Sequence, residues 1–190
     1  MDSTIAISNN SLTLTLYTTS TPRSILNINN VNKHFTLINS LLVITGKNSD
    51  IVRLHLELER RISIIQTLHE ETKLDSKFIS EIVSAIIYEK LRINSYNVEV
   101  LIQDLNSENK IFYFVDNYGN LSNYRMFVGG LAATFCLGIV DKYINKELKE
   151  EDMFKVMEEC LNVLRNKSII GGECKMLVER NGVIEEKIIK

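Results

Sequence analysis

The chain has 190 residues, 22 basic and 24 acidic, with a net charge of −2, an apolar fraction of 45% and a charged fraction of 24%. That length suits one domain, 1–190, able to bury roughly 70% of its unfolded surface without a disulfide or metal staple. The balanced charge argues against nucleic acid or an anionic membrane as partner, and no apolar run reaches the roughly 18 residues of a spanning helix.

In chain order, "TIAIS" and "LTLTL" alternate apolar and polar residues around Asn9-Asn10, which predicts a hairpin over 3–8 and 11–16. The polar stretch 18–32 holds Pro22, the only proline, and reads mainly as a loop with a short extended piece. "KHFTLI" and "LLVITG" predict a second strand pair joined at Asn39-Ser40. From Ile51 the pattern changes. Leu54, Leu58, Ile62, Ile65 and Leu68 follow at three- and four-residue steps, one stripe of a helix of about twenty residues. Asp75 or Ser76 caps a second helix striped by Phe78 or Ile79, Ile82, Val83, Ile86, Ile87 and Leu91, after a short break near Lys73.

Strand periodicity returns in "YNVEVLIQDL" and "IFYFVD", around a turn at Asn106–Asn109, and continues after "NYGN" in a third strand, "LSNYRMFV". Beyond Gly129-Gly130, "LAATFCLGIVDKYI" predicts a helix with Leu131, Phe135, Ile139 and Tyr143 on one face, and with Ala132, Ala133 and Gly138 small enough for close approach. "KEEDMFKVMEECLNVLRN" predicts another, striped by Met153, Val156, Met157, Cys160, Leu161 and Leu164, with acids in its first turn. A hairpin turning at Asn181-Gly182 ends the chain. Grouped strands alternating with helix pairs are not the order of a doubly wound parallel sheet. They predict an α+β fold, a four-layer αββα sandwich.

Few residues suggest chemistry on their own. Cys136, Cys160 and Cys174 are scattered and odd in number, which fits a reducing compartment and small buried hydrophobes rather than a disulfide framework. His34, His55 and His69 lack ligand spacing. With no Gly-rich phosphate cradle either, no cofactor or metal is expected. "VGGLAA" at 128–133 reads as a tight strand-to-helix turn that needs glycine, with anion binding at the helix start as the sharper alternative. "KELKEED" at 146–152 reads as a solvated helix start, and the aromatics Phe112, Tyr113 and Phe114 fit core or interface.

"LLVITGKNSDIVRLHLELERRI", "YNVEVLIQDLNSENKIFYFVDNYGNL", "FVGGLAATFCLGIVDKYINKELKEEDMFKVMEECLNVLRN" and "CKMLVERNGV" follow one another in the order of a known family. The chain resembles the β subunits of the eukaryotic 20S proteasome from about residue 3 to residue 185, with landmarks at Gly46, Asp50, Val115-Asp116 to Gly119 and the glycine pair. The resemblance implies the N-terminal nucleophile hydrolase version of the sandwich. In active members a threonine freed at the terminus supplies both the nucleophilic hydroxyl and, through its α-amine, the base; such an amine has a pKa of about 8, suited to neutral pH.

That threonine falls at Asp2 or Ser3, and no Gly-Thr junction precedes either. The family's aspartate falls near Thr18, its lysine at Lys33, its glycine-turn serine near Gly129, and its Asp-x-x-Ser at Asn166 to Ile169. The departures imply a non-catalytic subunit, most like the fourth ring position, with the third and sixth as alternatives. Its implied partners are β subunits of the same ring, α subunits of the adjacent ring and β subunits of the opposite β ring, in cytoplasm and nucleus. The alternative is an active threonine or serine hydrolase matured by cleavage at Ser3 or Thr4.

Overall fold

A computed structural model describes residues 2–23, 26–28, 31–68, 74–107, 110–167 and 173–189. The elements in chain order are β1 (Ser3–Ser8), β2 (Leu12–Thr18), β3 (Thr21–Arg23), β4 (Leu26–Ile28), β5 (His34–Leu37), β6 (Ser40–Gly46), α1 (Asn48–Leu68), α2 (Ser76–Lys90), β7 (Val98–Asp104), β8 (Phe112–Val115), β9 (Leu121–Tyr124), β10 (Met126–Gly130), α3 (Leu131–Asp141), α4 (Glu150–Asn166), β11 (Cys174–Arg180) and β12 (Val183–Ile189). They fall into two compact units. The first is Met1–Asn32, Leu105–Phe112 and Tyr124–Lys190, and the second is Lys33–Asp104 and Tyr113–Asn123.

The first unit is built on a sheet in the order β10-β1-β2-β11-β12. Every residue of β1 and β2 is buried. One face of this sheet packs against α3 and α4 in a core that includes Ile5, Ile7, Leu14, Leu16, Cys136, Val156, Cys160 and Leu164. The expected hairpin between β1 and β2 closes through a side chain. Asn9 Oδ1 accepts from Ser11 N (2.9 Å) and Leu12 N (2.7 Å), an Asx turn in which the side chain does the backbone's work. At the last hairpin, Asn181 (φ 50°) and Gly182 (φ 82°) adopt the left-handed pair expected there.

The stripe on α4 is as expected: Met153, Val156, Met157, Cys160, Leu161 and Leu164 are all buried. The stripe on α3 is not. Its buried positions are Ala132, Cys136 and Val140, with Ile139 and Tyr143 packed at the margin and Phe135 exposed. This helix is apolar almost all round, so two stripes one residue apart fit the sequence equally well. The smaller side chains face inward and let the helix sit close to the sheet. Gly138 lies on the open side, where an added Cβ would touch nothing. All three cysteines are free and buried. Contact with Cys136, then burial, pushes the Cys160 thiol up, so it stays protonated and inert.

The second unit is built on the sheet β5-β6-β7-β8-β9, with α1 and α2 packed on it through Leu42, Ile44, Ile51, Leu54, Leu58, Val83, Ile87, Val100 and Ile102 among others. Asp75 caps α2 by accepting from Phe78 N at 2.8 Å. The stripe on α1 holds from Ile51 to Ile62, but Leu68 at its end is exposed. The break near Lys73 and His69 lie outside the described residues, as does part of the Asn106–Asn109 turn. The expected third strand, 121–128, is two strands: β9 ends at Tyr124 beside β8, and β10 starts at Met126 beside β1. Arg125 is the single residue at which the chain changes sheet.

Arg61 joins the helix pair. Its guanidinium donates to Glu57 at 2.9 Å and to Glu89 on α2 at 2.5 and 3.2 Å. Hydrogen bonds from Arg60 and Arg61 hold the Glu57 carboxyl down at about 2, against an ordinary 4.5, and Arg61 lowers Glu89 too. A carboxylate depressed on folding stabilises above its unfolded pKa and loses that contribution as pH falls through the folded one. Hydrogen-exchange protection of α1 and α2 should therefore fall between pH 4.5 and about 2, and Glu57→Gln should flatten that fall.

Inside the first unit lies an ion pair that no sequence pattern announces. Lys110 Nζ meets Glu179 Oε1 at 2.8 Å, with side chains 5% and 1% exposed. Glu179 also accepts from Thr13 Oγ1 (3.1 Å) and Gly182 N (2.8 Å), while Lys110 donates to the Leu105 carbonyl (3.2 Å). Removing one partner of such a pair strands a buried charge, so Lys110→Met should cost about 3–5 kcal/mol in chemical denaturation, and Lys110→Met with Glu179→Met should recover most of it.

Candidate functional site

Four of the positions that the resemblance singles out, Asp2, Ser3, Thr18 and Gly129, lie around the start of β1. Ser3 lies between β10 and β2, opposite Gly130, and Thr4 lies opposite Gly129 and Tyr17. The Ser3 amide donates to Thr18 Oγ1 at 3.1 Å. The Asp2 carbonyl accepts from Leu131 N at 3.0 Å, so the first amide of α3 is taken by the chain's own backbone. This fills the place at which an anion would bind the helix start, and it leaves "VGGLAA" with its structural role.

Both ends of the Ser3 peptide link are thus fixed in place. Ser3 is 3% and Thr18 4% exposed. The Ser3 hydroxyl is buried with no hydrogen-bond partner. Thr18 is also where the family's aspartate falls. A carboxylate there could hold a cation; a threonine hydroxyl carries no charge and here serves as acceptor for a backbone amide. Ser3 N in this arrangement is an amide that donates.

The other positions divide. Gly129 is buried within β10 and bears no hydroxyl. Asn166 is the exposed last residue of α4, and Ile169 lies outside the described residues. Lys33 belongs to the second unit, fully buried, and its carbonyl accepts from Ile44 N at 2.8 Å. His55 takes a structural place. His55 stacks on Phe35 with ring centroids 4.1 Å apart and has Nε2 3.5 Å from Glu59. Of the acidic stretch, Glu150 pairs with Arg180 at 3.0 Å. Among the described residues no cluster could hold a metal ion, and no helix is long and apolar enough to cross a membrane.

Sequence reasoning missed two parts of this site. One is the Thr18 hydroxyl as the acceptor for Ser3, which only the pairing of β1 with β2 reveals. The other is the reason for the second glycine. Gly130 has φ 63°, and a Cβ there would overlap the Asp2 carbonyl oxygen. The "GG" pair itself was the signal.

The chain matches the family model described as "Proteasome subunit" over residues 2–178. It belongs to the proteasome subunit family. It is also similar to a "Probable proteasome subunit beta type-4" of Encephalitozoon cuniculi (strain GB-M1), 22% identical over 193 residues that cover 100% of this chain and 98% of that protein. The resemblance is thus to a eukaryotic β subunit of the beta-4 type. The fold class follows: an α+β, αββα sandwich of the N-terminal nucleophile hydrolase type.

Gly130→Ala tests the geometry at the strand start. Positive φ and the clash with Asp2 should together destabilise the chain by about 2–3 kcal/mol in a denaturant titration. Gly138→Ala, on the open side of α3, should be neutral or slightly stabilising.

Proposed function

We propose that this chain is a non-catalytic, structural β subunit of the 20S proteasome core particle, seated at the fourth β position. It would shape the proteolytic chamber and the β ring in ubiquitin-dependent protein degradation, in cytoplasm and nucleus. Its partners would be neighbouring β subunits, α subunits of the adjacent ring and β subunits of the opposite β ring. One observation carries this reading: the place to which the resemblance assigns the family's aspartate holds Thr18, an uncharged residue whose hydroxyl accepts the Ser3 amide at 3.1 Å. The beta type-4 name of the relative supports the ring position. The apolar residues that α1 leaves exposed, Val52, Leu56, Ile64 and Leu68, support an assembled role.

The competing reading is cleavage before Ser3 or Thr4 to give an active hydrolase, and the unpartnered Ser3 hydroxyl is the observation in its favour. Intact mass measurement of the subunit in purified core particles, with and without an epoxyketone-type probe, separates the two. We expect a chain that retains Asp2 and carries no adduct. A mature chain that begins at Ser3 or Thr4 and is labelled by the probe would establish the hydrolase. Failure of the chain to co-purify with any ring subunit would defeat both.

A further inference from the structure

Among the described residues β12 is an edge of the first unit's sheet, paired only with β11. It is long for an unprotected edge. Its apolar residues are far from hidden: Val183 is 66% and Ile188 59% exposed. Edges of this kind template pairing with another strand unless they are blunted by charge, proline or a bulge. Here the charges sit in the middle of the strand, and their order carries information.

The strand reads Val-Ile-Glu-Glu-Lys-Ile-Ile, from Val183 to Ile189. Laid antiparallel against itself with a two-fold axis at Glu186, every other position meets a complement. Glu185 faces Lys187 of the second copy, and Lys187 faces Glu185. Ile184 faces Ile188, and Val183 faces Ile189, each twice. Residues that oppose one another in such a pair lie on the same face of the sheet, so the complements meet side by side. Only Glu186 faces its own kind, and its carboxylate is ion-paired with Lys175 of its own chain, which offsets the repulsion.

The neighbouring symmetric registers are worse. An axis at Glu185 opposes Glu185 to itself and sets Ile184 against Glu186. An axis at Lys187 opposes two lysines and sets Ile188 against Glu186. Because side chains alternate faces, the intermediate registers would turn the sheets over rather than continue them. One register alone satisfies charge and apolar contact together.

From this we propose that β12 is a self-recognition edge, through which a second copy of this chain pairs antiparallel about Glu186 and joins the two five-stranded sheets into one. Such a contact is isologous, so it closes at two copies and does not propagate. It is also small, and the dimer is weak, with a dissociation constant on the order of 100 µM. The inference stands on the strand alone and does not depend on the proteasome role.

Sedimentation equilibrium of the full chain tests it. The wild type should show a concentration-dependent dimer. Lys187→Glu places like charges opposite one another twice and should weaken that dimer by about tenfold. Combining Lys187→Glu with Glu185→Lys restores the pairing and should recover wild-type affinity. Glu186→Cys supplies a second measurement, because only this register brings the two copies' residue 186 together. With oxidised glutathione as oxidant, it should cross-link faster than Glu185→Cys, the native cysteines being buried. Three outcomes would overturn the proposal: a monomer up to about 1 mM, a dimer indifferent to Lys187→Glu, or pairing of β12 with a different proteasome subunit in place of a second copy.

Discussion

The leading strand is hydrogen-bonded on both sides, and the rest of the first unit depends on this. β1 runs antiparallel to β10 on one edge and to β2 on the other, with all six of its residues buried. A strand in that position cannot be drawn out without breaking two ladders and opening the core under α3 and α4. Its first residue is therefore as constrained as its middle. The Ser3 amide and the Asp2 carbonyl each have a backbone or side-chain partner, and Gly130 is bare because the Asp2 carbonyl passes where a side chain would stand.

A second constraint acts further along the same sheet. Glu179 sits on β11, and Lys110 in the segment that follows β7. Their buried pair ties that segment to the sheet, while Ser8 Oγ reaches the Lys110 carbonyl at 2.7 Å and the Arg125 carbonyl at 2.8 Å. Four chain segments distant in sequence are thereby held at one spot. A buried ion pair is a poor source of net stability, because desolvation offsets most of its attraction. What it supplies is exclusiveness. A shift of β11 by one residue would leave both charges in apolar surroundings without partners, so the wrong register is penalised far more than the right one is rewarded.

The division between what the sequence reveals and what it hides follows the range of the interaction. Strands and helices show through their own periods, so β1, β2, α1, α2 and α4 are legible from residues a few positions apart. The break in 121–130 is not legible. Tyr124, Arg125 and Met126 alternate apolar and polar across the break, and only the partners of the two halves, β8 and β1, separate them. The face of α3 fails for a related reason: an almost wholly apolar helix carries no internal mark of which side is inward. Lys110 and Glu179 lie 69 positions apart and look like any other charges until the sheet brings them together. The site positions were legible only through the family's ordered landmarks. Composition and spacing alone would have left Ser3, Thr18 and Lys33 as ordinary strand residues.

Thr18 shows how an uncharged side chain can secure the start of a strand. The resemblance puts an aspartate at this place, where its charge would matter to a nearby cation. Threonine carries its oxygen directly on Cβ and bears no charge, and that hydroxyl accepts the Ser3 amide. An aspartate would also accept, but it would add a charge that threonine lacks. The same logic applies at Gly129, where the family's serine has given way to a residue that only keeps the ladder with Thr4. At both positions the residue present serves the sheet: Thr18 holds the strand start, and Gly129 pairs with Thr4.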